Sequence, residues 1–112
     1  MQISIKGADS SIIERLKRLQ CSTYEDRRLY ANLDTAFDKL KRDPHIGDRV
    51  QKKRIPKLYM DKYGIDNLLI LPLPGAWRLL YSVGRFEEDT IVIIIDFMTH
   101  TEYDRIFKYY RK

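Results

Sequence analysis

The chain has 112 residues, the size of one domain, and its 44% hydrophobic and 12% aromatic content excludes a disordered chain. A single cysteine, Cys21, excludes an intrachain disulfide and suits a reducing, intracellular setting. The net charge of +5 is unevenly spread, because residues 47–63 carry six basic against two acidic side chains while residues 64–99 carry two against five. That concentration of positive charge is the form a polyanion footprint takes, although basic clusters on ordinary proteins are usually solvated faces.

The opening Met1-Gln2-Ile3-Ser4-Ile5 lacks the charged start and apolar run of a signal peptide. The longest near-apolar run, Leu68 to Pro74, is too short to span a bilayer. A soluble, cytoplasmic protein with no membrane partner is the expectation.

Ile3 and Ile5 alternate with polar neighbours, predicting a short strand that ends at Gly7. Ser11-x-x-Glu14 reads as a capping box opening a helix with Ile12, Ile13, Leu16 and Leu19 at helical spacing. Ser22-x-x-Glu25 reads as a second box, opening a longer helix whose apolar stripe is Leu29, Leu33, Ala36, Phe37 and Leu40 and which Asp43-Pro44 ends. Cys21 falls at the joint of this hairpin, where a small half-buried residue is a plainer reading than a nucleophile.

Pro44-His-Ile-Gly47 is a turn, followed by the basic segment Arg49-Val-Gln-Lys-Lys-Arg-Ile-Pro-Lys57. Pro56 suits the first position of a short helix running to about Tyr63 and stopped by Gly64. Leu68 to Leu71, Trp77 to Val83 and Ile91 to Phe97 are three β-rich runs with short connections, predicting an antiparallel meander. Strands this apolar on both faces must be covered on each side. Thr99-x-x-Glu102 opens a terminal helix with Tyr103, Ile106, Phe107 and Tyr110 on its buried stripe. The order predicts an α+β fold, with an N-terminal strand and a helical hairpin packed on an antiparallel three- to four-stranded sheet, all in one domain.

His45, His100 and Cys21 stand at no metal-ligand spacing, and Glu87-Glu-Asp89 reads as a solubilising hairpin tip rather than a hard-cation site. With no phosphate-cradling glycine loop and no Gly-x-Ser-x-Gly elbow, an enzyme on this chain is expected to work without metal or nucleotide cofactor. Metal-free RNA cleavage needs a base for the 2′-hydroxyl, cations for the phosphorane and an acid for the departing 5′-oxygen.

Alternation puts Trp77, Leu79, Tyr81 and Val83 on one face of the middle strand and Arg78, Leu80 and Ser82 on the other. Arg78 is then either a strand-end residue paired with Asp96 or open to solvent, or a phosphate ligand. His100, at the start of the terminal helix, is either an exposed first-turn residue or a proton-transfer group kept neutral by the helix dipole. Tyr103, one turn on, is either a core aromatic or the partner of His100.

The stretches Gly75 to Val83, Ile91 to Asp96 and Thr99-His-Thr-Glu-Tyr-Asp-Arg105 resemble the C-terminal half of the RelE/ParE toxin superfamily; Gly47, the segment Val50 to Lys57 and Asn67-Leu68 also fit. The resemblance implies a type II toxin partnered by an antitoxin from the same operon, and on its RelE-like branch an endoribonuclease cutting mRNA on the ribosome. It would make Arg78 the phosphate-contacting arginine and Lys52, Lys53 and Arg54 the family's basic patch, within a segment whose charge, with Arg49 and Lys57, reads as an RNA-binding footprint. Tyr103 would be an active-site tyrosine, and His100, which departs from the RelE pattern toward the HigB type, would take part in cleavage. Lys52 or Lys53 is the substitute base. Arg85 is a poor second active-site arginine, lying in or near a loop. The ParE-like alternative is a DNA gyrase inhibitor without nuclease activity, and a third is an inactive binding module.

Overall fold

The computed structural model describes residues 2–109. In chain order the elements are β1 (Ile3–Gly7), α1 (Ser10–Gln20), α2 (Tyr24–Arg42), β2 (Asp48–Arg49), a 3-10 turn (Lys52–Arg54), α3 (Lys57–Tyr63), β3 (Leu69–Leu73), β4 (Trp77–Phe86), β5 (Asp89–Thr99) and α4 (His100–Tyr109). No helix among the described residues is long and apolar enough to cross a membrane.

The α+β class holds, but the sheet is mixed and five-stranded, in the order β1-β5-β4-β3-β2. The β3–β4–β5 meander is antiparallel as the alternation predicts. The purely antiparallel sheet of three or four strands is corrected at both edges. β1 lies parallel to β5, with Ile5 opposite Val92. Asp48 and Arg49, the latter opening the basic segment, pair with Ile70 and Leu69. A strand's own pattern does not name its partner, and a two-residue strand is too short to show alternation.

The sheet is covered on both faces. The α1–α2 hairpin buries Leu29, Leu33, Ala36 and Leu40 against Leu69, Leu79, Tyr81, Val92 and Phe97. On the other face, α3 and α4 pack against Leu68, Ile70, Leu80, Ile95 and Met98. β4 keeps strict alternation between the two cores. β5 does so only through a bulge, where Leu80 faces Asp96 but Tyr81 faces Ile94. The extra residue, Ile95, re-phases the strand so that Phe97 joins the hairpin core.

Helix caps shift from the predicted boxes. α1 is capped by Asp9, not Ser11: Asp9 Oδ1 accepts from the Ile12 N–H at 3.1 Å and from the Ser11 hydroxyl at 2.7 Å. α2 is capped by Thr23, not Ser22, with Thr23 Oγ1 accepting from the Asp26 N–H at 3.1 Å. In both, the residue nearest the helix geometry displaces a neighbour of similar chemistry. The third box is formed as predicted: Thr99 N–H donates to Glu102 Oε1 at 3.1 Å, and the Glu102 N–H to Thr99 Oγ1 at 3.3 Å. α3 begins at Lys57, with Pro56 as its cap, and ends at Gly64 in the left-handed region at φ 65°. Cys21 is exposed rather than half-buried, since the short connection leaves the joint in solvent. Tyr110, assigned to the stripe of α4, lies outside the described residues.

Two side chains splice loops into the sheet. The Asn67 side-chain amide donates to the Val83 carbonyl at 2.9 Å, while its oxygen accepts from the Val83 N–H at 2.9 Å and the Ser82 hydroxyl at 3.1 Å. It thereby does the work of a peptide group beside β4, and the buried Ser82 is satisfied. The hydroxyl of fully buried Tyr81 accepts from the Gly47 N–H at 2.9 Å.

A Cβ on Gly47 would fall 2.7 Å from the Tyr81 hydroxyl and 2.9 Å from the Ile70 carbonyl oxygen. Gly47→Ala is expected to lower stability by about 1–3 kcal/mol, read as a lower urea midpoint, with Tyr81→Phe in the same chain recovering part of the loss. The Asp9 carboxyl is held down to about 2 by the Ser11 hydroxyl first, then by the Ile12 N–H, Tyr63 and Lys62. Because its folded value lies below the ordinary 3.8, its contribution is complete above that value and is lost as pH falls toward about 2. Asp9→Asn should flatten that acid-side fall in thermal stability; an unchanged slope would remove Asp9 as its source.

Candidate functional site

The two covers of the sheet are unequal. The hairpin is long and continuous, whereas the opposite face is covered by the short α3 and by α4, which contains no fully buried side chain among the described residues. Between α4 and the segment 48–54 an open depression of about 910 Å³ remains over the ends of β3 and β4. Its floor is Ile70 and Pro72, one wall is Asp48 to Gln51 with Arg54, and the other is Tyr103, Asp104, Phe107 and Lys108. Arg78 reaches into it from β4, where it stands between Pro72 and Met98 in register.

Arg78 is not paired with Asp96. A helix on the opposite face takes that carboxylate: Arg15 Nη1 lies 2.9 Å from Asp96 Oδ1, with its guanidinium 3.9 Å from the Phe97 ring centroid. The Phe97 N–H donates to the same oxygen at 2.8 Å. Burial still pushes the Asp96 carboxyl above its usual range, with the N–H and Arg15 opposing it.

Arg78 instead lies over Tyr103, its guanidinium carbon 4.3 Å from the ring centroid. Phe107, one helical turn on, stacks on Tyr103 with centroids 4.1 Å apart and planes at 18°. Phe107 covers one face of the phenol ring, which leaves the other to the guanidinium. A cation–π contact at a half-exposed site contributes about 0.5–2 kcal/mol and an aromatic pair about 0.5–1.5 kcal/mol. Only the first involves Arg78, and it offsets part of the roughly 2 kcal/mol of rotamer entropy of a free arginine, while the Phe107 stack fixes the ring that Arg78 lies on.

Burial pushes the Tyr103 hydroxyl above its usual value; Arg78 opposes this most strongly, Asp104 adds to it, and Arg54 opposes it. At neutral pH the group is therefore a phenol, able to donate a proton but seldom to accept one.

The depression gathers four cations, Arg49, Arg54, Arg78 and Lys108, with two carboxylates, Asp48 and Asp104. None of these six forms a salt bridge among the described residues. Four cations against two unpaired carboxylates leave the depression with a positive surplus that favours an anion.

Of the residues singled out from sequence, Arg78, Tyr103, Arg49 and Arg54 are thus brought together. Lys52, Lys53 and Lys57 are exposed and line no part of the depression. His100 is exposed at the first position of α4, where its backbone N–H donates to the Ala76 carbonyl at 2.8 Å. It precedes Tyr103 by one turn, but its side chain is not in the lining either. His45 is exposed in its turn, and Arg85 is exposed near the distal hairpin.

Two further arginines reach the depression from the basic segment, Arg49 on β2 and Arg54 at the end of the 3-10 turn. Asp104, Phe107 and Lys108 escaped sequence reasoning as site residues. Their only signal is helical spacing, with 103, 104, 107 and 108 falling on one face. Among the described residues no three His, Cys, Asp or Glu side chains gather as a metal site. No protein-family model matches the chain, and no curated protein is significantly similar to it.

Because Arg78 holds the pKa of the Tyr103 hydroxyl down against burial, Arg78→Ala should raise that pKa further. An ultraviolet pH titration, differenced against Tyr103→Phe, reads this directly; a fall would contradict the stacked geometry.

Proposed function

We propose that the chain is a RelE-like toxin of a toxin–antitoxin pair, acting as a metal-independent endoribonuclease on mRNA at the ribosome. The observation that carries this reading is Arg78, stacked on Tyr103 at 4.3 Å and free of any carboxylate, in a depression that also holds Arg49 and Arg54. A planar guanidinium that is both pre-positioned and unneutralised suits a phosphate whose charge grows in the transition state.

In this reading Arg78 and Arg54 stabilise the phosphorane. The 2′-oxygen bonds to phosphorus as the bond to the 5′-oxygen breaks, giving a cyclic 2′,3′-phosphate and a free 5′-hydroxyl. Tyr103, a phenol at neutral pH, supplies the proton to the departing 5′-oxygen. The 2′-hydroxyl proton goes to a base at the rim, outside the lining of the depression: His100, exposed at the head of α4, with Lys53 or Lys52 as the substitute. The exposed Lys52, Lys53 and Lys57 flank the depression in sequence and extend its attraction for the RNA backbone. An antitoxin that neutralises this surface would offer an acidic, amphipathic segment.

The test is incubation of the purified chain with mRNA-loaded ribosomes and mapping of the new 5′ ends. Arg78→Ala should slow cleavage by about a hundred- to a thousandfold, the usual loss of one positioned charge stabiliser. Tyr103→Phe and His100→Ala should each cost about a hundredfold or more. Full activity in His100→Ala together with loss in Lys53→Ala would move the base to Lys53. Intact mRNA with the wild-type chain would overturn the reading.

A further inference from the structure

The two carboxylates in the depression call for a physical reason, because each weakens the hold on a phosphate. Asp104 is the more telling. It follows Tyr103 on α4, lines the same depression, and its charge is felt at the Tyr103 hydroxyl. It is exposed, and it forms no salt bridge among the described residues although three arginines and a lysine share its cavity. Asp48 stands on the opposite wall, and its charge is felt instead at Tyr81, in the core beneath the other face of the sheet.

A carboxylate beside a phosphate site is tolerated when the same ligand offers it hydrogen-bond donors. Of the four RNA bases, only guanine presents two adjacent donors from different nitrogens, N1–H and the N2 amine, which match the two oxygens of a carboxylate. Adenine and cytosine each offer one exocyclic amine beside a ring acceptor, and uracil offers one N–H between two carbonyls. An acceptor-only group facing those acceptors is repelled.

We infer that Asp104 reads the Watson–Crick edge of a guanine next to the phosphate held by Arg78, making it the specificity-determining residue of the site. The inference rests on the RNA-binding reading of this depression. Ile70, Pro72 and Phe107 offer the base an apolar surface, and the arginines take the backbone. A well-placed bidentate base contact discriminates by roughly five- to a hundredfold.

The experiment uses 2′-O-methyl trinucleotides, which lack the attacking hydroxyl, with guanosine, inosine, adenosine, cytidine or uridine at each position in turn. Affinity for the full chain is read by fluorescence anisotropy. The wild type should bind the best guanosine trinucleotide about tenfold more tightly than its adenosine counterpart, with inosine, which lacks the N2 amine, between them. Asp104→Asn should lose this ranking and, relieved of a negative charge, bind the adenosine, cytidine and uridine trinucleotides more tightly. Asp48→Asn should tighten all of them alike and keep the ranking.

A wild type without ranking, or an unchanged ranking in Asp104→Asn, would overturn the inference, reducing Asp104 to a solvated charge that tempers affinity for any polyanion. Guanosine-selective binding with no cleavage of ribosomal mRNA would sustain the inference and remove the nuclease. Cleavage without base selectivity would do the reverse. No binding of any trinucleotide would overturn both.

Discussion

The β4–β5 pair is apolar on both faces, and neither face can be left to water. Leu79, Tyr81, Val92 and Phe97 face one way, Leu80, Ile95 and Met98 the other, and all are buried. At about 25 cal/mol per Å² of apolar surface, exposing either face would cost more than a domain of this size has in reserve. Two covers are therefore required, one supplied by the long α1–α2 hairpin and the other assembled from α3, α4 and the segment between β2 and β3. The second cover is made of short pieces, and the depression is the gap between them.

The same constraint decides which arginine is free. Arg15 and Arg78 approach the sheet from opposite faces, and the carboxylate Asp96 lies toward the C-terminal end of β5. The bulge at Ile95 brings Phe97 to the hairpin side, where Arg15 lies over its ring and bonds the adjacent carboxylate. Arg78 is left with an aromatic partner and no anion. Arg78 is the second residue of β4, so it stands at the strand end, and the cost of holding it without a counter-charge is limited by that partly exposed position and by the Tyr103 ring. The pairing that makes the hairpin face sound is what leaves a positive charge available on the other.

α4 links fold and site in one element. Its start is secured by the reciprocal Thr99–Glu102 cap and by the bond from His100 N–H to Ala76 in the β3–β4 turn. Beyond that it is held by partly buried side chains, Tyr103, Ile106 and Phe107. One residue, Tyr103, therefore both anchors the helix and presents a hydroxyl to the depression. In the proposed function, packing by the ring and proton donation by the hydroxyl are therefore not alternatives at this position.

The sequence by itself determined the elements whose cause is local. The meander followed from runs of β-branched and aromatic residues, the helices from apolar spacing, the end of α3 from Gly64, and the start of α4 from Thr99 and Glu102. The faces of β4 were legible too, because a strand's period of two needs no partner to be read. What only the tertiary structure decided involves choices between distant residues. Alternation in β1 could not say that it would lie parallel to β5, and adjacent Asp9, Ser11, Ser22 and Thr23 compete for caps on geometry alone. Arg78 and Asp96 stood as a plausible pair until Arg15, 81 positions before Asp96, took the carboxylate. The basic segment was visible as charge, but charge does not reveal that Arg49 and Arg54 turn toward Arg78 while Lys52, Lys53 and Lys57 turn away. Which side chains converge is set by how the covers close over the sheet, and no local pattern carries that.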